Sequence, residues 1–289
     1  MTPCHELRRL AIASSLCLSG LSAWAAGSGA NPTGPDLPLW ELGAGAGLLA
    51  TPAYLGSRVT RTYAVPWPYA VYRGDILHAN REGVGLQLNE TPRTELDLSF
   101  SGTLPVDSAD TERAGMHDLP LALESGVVYA IALHRTAGDR LSLRLPLRYA
   151  TGIDHRHLMA IGWIADPTLR WTRQLQWAGQ SLEWGLDLTV KFQDSRYNNF
   201  YYRVRDDEVT PDRPAYQARG GYAGATLNTG VLLRRGAWVG GAFVGLSQLG
   251  GARFADSPLV SQRSNWFGGL ALTWVFEQSE ARASGPAPL

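Results

Sequence analysis

The chain has 289 residues, 32 of them glycine, with 10 tryptophans, 11 tyrosines and a formal net charge of zero. It has no basic excess with which to hold nucleic acid. Its two cysteines, Cys4 and Cys17, lie too near the start to build a disulfide framework or a thiolate site in the body of the protein.

The first 25 residues read as a signal peptide. Arg8 and Arg9 form a positive start, Leu10 to Leu21 an apolar run, and Ala23-Trp24-Ala25 a small-x-small cleavage site. The run falls short of the roughly 20 apolar residues that span a bilayer. Ser14 stands three positions before Cys17, where a lipoprotein signal would place leucine. Cleavage after Ala25 removes both cysteines and, with Glu6, Arg8 and Arg9, leaves one net negative charge. Residues 26–39, rich in Gly, Pro and Ala, read as a flexible periplasmic lead.

A two-residue rhythm then runs through the chain. From Leu182 to Phe192, Leu182, Trp184, Leu186, Leu188, Val190 and Phe192 alternate with Glu183, Gly185, Asp187, Thr189 and Lys191. From Leu141 to Tyr149, leucines alternate with Ser142, Arg144, Pro146 and Arg148. A strand sends successive side chains to opposite faces, so each segment has one apolar and one polar face. Recurrence in most segments predicts an all-β fold: one up-and-down antiparallel transmembrane β-barrel, with lipid outside and water inside. Strands are expected near 40–48, 61–72, 75–80, 82–89, 94–104, 121–134, 140–151, 160–173, 180–193, 216–233, 236–248 and 264–276. That makes twelve, or ten if the short hairpin at Asn80 and Arg81 is lost.

Short links near 73–74, 89–93, 136–139, 174–179 and 234–235 alternate with longer ones that include 105–120, 194–215 and 249–263. In outer-membrane barrels the short turns face the periplasm and the long loops face out. The barrel is expected over 40–276 and a tail over 277–289. Twelve strands leave a lumen wider than side chains alone fill, so it should be wet but obstructed.

The search for chemistry finds little. His134 and Ser142 flank a periplasmic turn, but no acid is placed to orient the imidazole. His155 and His157 make at most a two-ligand chelate, and His78 and His117 have no recognisable partners. No cofactor, catalytic or metal site is expected. The polar faces place Glu95, Asp97, Arg144, Arg148, Arg170, Glu183, Asp187 and Lys191 in the lumen. They read as a charge lattice that pairs across strands, or as a selectivity ring. In the loop after Gln193, Tyr197, Phe200, Tyr201, Tyr202 and Arg203 mix aromatic and polar groups. They suit an outside contact with sugar or protein, or a loop folded into the barrel mouth.

The stretch from Leu246 to Val260, and within it Ala255, Asp256, Ser257, Pro258, Leu259 and Val260, resembles the C-terminal signature of the MipA/OmpV family. Gly251 and Arg253 depart from its common form. Two further stretches are similar to that family: residues 40–45 with Tyr54 to Ser57, and Tyr197 to Tyr202 with Pro214 to Tyr216. The resemblance covers nearly the whole mature chain and implies a barrel in the outer-membrane lipid of a Gram-negative cell. It also implies one of two roles. The first is a non-enzymatic scaffold in peptidoglycan biogenesis, joining a murein transglycosylase to a penicillin-binding murein synthase. The second is a narrow porin-like channel for small solutes or antibiotics.

Overall fold

A computed structural model of the chain describes residues 38–73, 77–80, 83–86, 89–90, 93–154 and 157–282. The expected signal peptide, both cysteines and His155 lie outside them, as does the side chain of His78.

The strands are β1 (Trp40–Pro52), β2 (Thr60–Arg73), β3 (Leu77–Asn80), β4 (Gly83–Leu86), β5 (Asn89–Glu90), β6 (Thr94–Thr103) and β7 (Leu121–Arg135). They continue as β8 (Asp139–Asp154), β9 (His157–Ala165), β10 (Thr168–Trp177), β11 (Gln180–Gln193), β12 (Gly221–Arg235), β13 (Trp238–Gln248) and β14 (Ser264–Gln278). All the pairings are antiparallel, and β1 pairs with β14 through registers such as Ala46 to Leu272. The sheet path therefore passes through both chain ends, and its own ends are β4 and β5, which are neighbours in the chain. A sheet without a free end can satisfy its backbone groups in lipid.

Two strands are interrupted. β9 and β10 both pair with β8 and β11, and between them Asp166-Pro167 breaks the ladder. The Pro167 carbonyl still accepts from Val190 N–H at 2.9 Å. β4 and β5 likewise form one pass, with β4 on β3 and β5 on β6. Counting each interrupted pair once, the described residues make twelve passes, as the alternation predicts. β12 begins at Gly221 rather than 216, because Tyr216 bridges back to Val204 within the preceding loop. β14 ends at Gln278 rather than Phe276, and Ala281 accepts from Leu39 N–H at 2.8 Å.

Among the described residues the outer face carries an apolar belt. Leu48, Leu147, Leu188, Leu227, Leu270 and Leu272 all lie exposed on it, a surface that water would not tolerate. Aromatic residues border the belt, with Trp163 and Trp266 toward one end and Trp177, Trp238, Trp274 and Phe276 toward the other. Trp266 and Trp274 are eight positions apart on β14. At about 3.4 Å per residue and a tilt of about 40° this spans about 21 Å, close to the height of an outer-membrane apolar band. Among the described residues no helix is long and apolar enough to cross a membrane. The long links 53–59, 104–120, 194–220 and 249–263 share one end, where β8 also turns tightly into β9 between Asp154 and His157, and the short links 136–138, 178–179 and 236–237 share the other.

Candidate functional site

The long links pack into one cap. Its core joins Tyr54, Val106, Leu119, Leu249 and Phe254 to three tyrosines of α1 (Ser195–Tyr202), the one α-helix among the described residues. Tyr202 stacks on Phe254 at 3.8 Å between ring centres. Glu112 gathers the other links: its carboxylate accepts from Ser57 Oγ at 2.7 Å, Arg58 N–H at 3.0 Å, Tyr54 hydroxyl at 3.1 Å and the Ser261 hydroxyl. Burial raises the Glu112 pKa, but the donors from Ser261, Ser57 and Arg58 outweigh it and hold the carboxyl at about 2.

Helix α1 starts because Asp194 caps it, accepting from Tyr197 N–H at 2.7 Å. The other Asp194 oxygen accepts from Trp163 N–H at 3.0 Å, which fixes the helix against β9. From this position α1 reaches into the barrel mouth. The Tyr197 hydroxyl donates to Glu124 on β7 at 3.0 Å, and the Tyr201 hydroxyl lies 3.1 Å from Thr103 Oγ1 on β6. The Tyr202 hydroxyl donates to the Leu55 carbonyl at 2.9 Å, and Arg113 donates to the Tyr201 carbonyl at 2.7 Å. Burial pushes all three tyrosine hydroxyls upward, Tyr201 to about 12, so they remain donors throughout the ordinary pH range.

Below the plug the lumen wall is charged. Arg148 bridges Glu124 at 3.0 Å and Asp166 at 2.7 Å. Arg170 holds both oxygens of Asp187, at 3.0 and 3.2 Å. Nearer the short turns, Arg234 and the Tyr69 hydroxyl hold Glu41, which is wholly buried, and Gln174 donates to Glu183 at 2.6 Å. Charge-assisted, two-pronged pairs of this kind are the strong ones. The opposite wall, from β1, β2, β13 and β14, is different. Rings lie flat on glycine: a Cβ on Gly45 would fall 2.6 Å from the Trp67 ring, and one on Gly245 2.2 Å from Phe267.

Arg144, Arg148, Arg170, Asp187 and Lys191 line one cavity of about 450 Å³, together with Asp97. Glu95 and Glu183 are buried in the same wall. Of the loop candidates, Tyr197, Tyr201 and Tyr202 turn inward and are buried, because their rings fill the cap core. Their surface is spent inside the molecule, and only Phe200, partly, and Arg203 remain toward the outside. Within the signature stretch, Ser257 and Leu259 are buried, and the Ser257 hydroxyl donates to the Tyr202 carbonyl at 2.8 Å. Ala255 is buried, Pro258 and Val260 are half-buried, and Asp256 pairs with Arg263 at the surface. The stretch is a packing element of the cap. His134 is exposed and Ser142 buried, and the register places Ser142 opposite Ala132. Among the described residues no cluster of His, Cys, Asp and Glu could hold a metal ion.

Sequence reasoning missed Glu124, Asp166, Glu41, Arg234 and Glu112. Glu124, Glu41 and Arg234 stand on the inward parity of their strands and Asp166 at the break between β9 and β10, so inward phase was a usable signal for the first three. Glu112 sits in a loop, where no periodicity applies.

Comparison with known proteins gives a consistent result. The family profile described as MltA-interacting protein MipA matches residues 44–276. The chain is 28% identical over 131 residues to the outer membrane protein OmpV of Vibrio cholerae, covering 44% of this chain and 42% of that protein. It thus spans less than half the length of that relative. It is 25% identical over 222 residues to the outer membrane protein Omp26La of Vibrio anguillarum, covering 71% and 76% respectively. Among solved structures, a bacterial polysaccharide outer membrane secretin aligns at 8% identity with a TM-score of 0.40, covering 82% of this chain and 99% of that one.

Proposed function

Since this chain belongs to the MipA family of outer-membrane proteins, we propose that it is a non-conducting barrel that holds murein enzymes at the inner face of the outer membrane. Its partners in this reading are a murein transglycosylase and a penicillin-binding murein synthase, the first suggested by the family's own description. One observation carries the non-conducting part. Helix α1 is tied by hydroxyl donors to β6 and β7 across the mouth of a lumen whose wall carries ion pairs between adjacent strands. A solute would have to displace a helix held by buried hydroxyl donors, one of them on the Glu124 carboxylate, which suits an anchor better than a porin-like channel. The N-terminal signal peptide belongs to the same proposal, as the export route.

The partner part is tested by capture. The mature barrel, purified in detergent, is immobilised through a tag in its cap and offered a purified lytic transglycosylase and a purified bifunctional murein synthase. Retention of either at physiological salt supports the reading. Retention of neither overturns it.

A further inference from the structure

Acids and arginines occupy different sides of the cap. Asp107, Asp110 and Asp118 lie exposed on the link 104–120. Asp206, Asp207 and Asp212 lie exposed on the stretch that Arg213 ties to that link, by donating to the Glu112 and Ala114 carbonyls at 3.3 and 2.8 Å. Above β11 and β12 stand three exposed arginines: Arg196 on α1, Arg219 on the link before β12 and Arg253 on the link after β13. Among the described residues no carboxylate pairs with any of the three. The acids near them are committed elsewhere, Asp194 to Tyr197 N–H and Trp163 N–H, and Asp256 to Arg263 at 3.2 Å.

The chain that carries these arginines is fixed. Asn198 donates to the Arg219 carbonyl at 2.7 Å. Asn199 donates to the Ala218 carbonyl at 2.7 Å and accepts from Ala218 N–H at 2.9 Å. Two asparagines of α1 thus clamp the link of Arg219 to the helix of Arg196. Gly221 has a φ of +129°, and a Cβ there would fall 3.1 Å from Arg253 Cγ, so its missing side chain leaves Arg253 room to lie against the start of β12. Arg253 N–H donates to the Tyr222 carbonyl at 2.9 Å, and the Arg253 carbonyl accepts from the Tyr216 hydroxyl at 3.4 Å. Arg219 is close enough to act on that same hydroxyl: burial and Asp256 raise the Tyr216 pKa, and Arg219 opposes them. A site held ready in this way loses little freedom on binding.

Their height matches a lipid head group. Phe192 is exposed on the outer face, and Tyr222, its register partner, meets it edge to face at 6.2 Å between ring centres. These rings border the apolar belt above Leu188. Arg219 stands three residues beyond Tyr222, and Arg196 four beyond Phe192. Three extended residues on a tilt of about 40° rise at most about 8 Å. The head-group layer is about 5–8 Å deep, and an arginine stem can reach back into it. Guanidinium forks match phosphate oxygens two at a time. We propose that Arg196, Arg219 and Arg253 bind the phosphorylated head of a glycolipid in the outer leaflet, with its acyl chains against Phe192, Tyr222 and Leu188. The long links of outer-membrane barrels face out, where the leaflet is phosphorylated glycolipid. The inference is independent of the murein reading, which concerns the opposite face.

The test uses the mature chain in dodecyl maltoside micelles and native mass spectrometry, which counts the lipids that stay bound as each is titrated. The probes are lipid A with two phosphates, the same lipid A with both phosphates removed, phosphatidylglycerol and inorganic phosphate. The wild-type barrel should hold the bisphosphorylated form most tightly. The triple variant Arg196→Gln, Arg219→Gln, Arg253→Gln should bind it about a hundredfold more weakly, at about fivefold per arginine. Heat-modifiable migration confirms that each variant is folded. Arg58→Gln with Arg235→Gln, which removes exposed arginines from other places, should leave binding unchanged. Equal binding by the triple variant, or an equal loss in this second variant, would overturn the site. Dephosphorylated lipid A or phosphatidylglycerol bound as tightly as the bisphosphorylated form would overturn the head-group assignment. Displacement of the glycolipid by an equal concentration of inorganic phosphate would overturn the lipid as occupant.

Discussion

The Tyr197 hydroxyl donates to Glu124 at 3.0 Å, and the other Glu124 oxygen accepts from Arg148 at the same distance. One carboxylate thus joins the loop helix to the ion pairs of the wall, so the plug and the lattice form one unit. Tyr197→Phe removes the donor and leaves a buried carboxylate oxygen short of a partner. The expected loss is about 1.5–3 kcal/mol, the usual range for a hydrogen bond to a charged group. Urea unfolding in lipid vesicles measures it, and an unchanged midpoint would mean that the plug is not tied through this bond.

The cap should loosen in acid through Glu112. Its folded pKa of about 2 lies below the roughly 4.3 of a free glutamate. Its contribution is therefore complete above about pH 4.3 and is lost as pH falls toward 2. Hydrogen exchange in 53–59 and 249–263 should rise across that window. In Glu112→Gln it should be raised already at neutral pH and change little with acid. A wild-type cap equally protected at pH 2 and pH 6 would contradict the hub.

Neighbouring positions on β11 should fail for different reasons. Leu188 lies on the lipid face, and Leu188→Arg should cost about 2–4 kcal/mol. Asp187→Asn strips a partner from Arg170 and should cost about 3–5 kcal/mol. Arg170→Met should recover much of the second loss and none of the first. Recovery of both, or of neither, in a vesicle unfolding assay would show that the two faces are misassigned.

The two ends should be accessible from opposite sides of the membrane. A tag after Asp207, exposed in the cap, should be labelled on intact cells, since loop tips tolerate insertion. A tag between Arg235 and Gly236, in a short turn, should be reached only after the outer membrane is permeabilised. The reverse pattern would invert the barrel.

Most of the wall was legible because side-chain direction in a strand is local. The alternation from Leu182 to Phe192 fixes which residues meet lipid, and the expected strands fall close to those observed. What was illegible depends on distant partners. Glu41 and Arg234 meet 193 positions apart in the chain, and nothing near either residue announces the other. The tyrosines of α1 read equally as an outside contact, because aromatics among Asn and Arg are common at interfaces, or as a loop folded into the barrel mouth. Only the cap, built from four separate links, shows that the mouth of the barrel uses them.

The most direct test is electrical. The mature barrel is reconstituted in a planar bilayer and recorded alongside a variant in which residues 195–202 are replaced by a Gly-Ser linker. The account predicts silence from the wild-type protein, with current from the variant once the tyrosine donors above Glu124 and Thr103 are gone. Regular ohmic steps of one size from the wild-type barrel would contradict it and make the protein a pore.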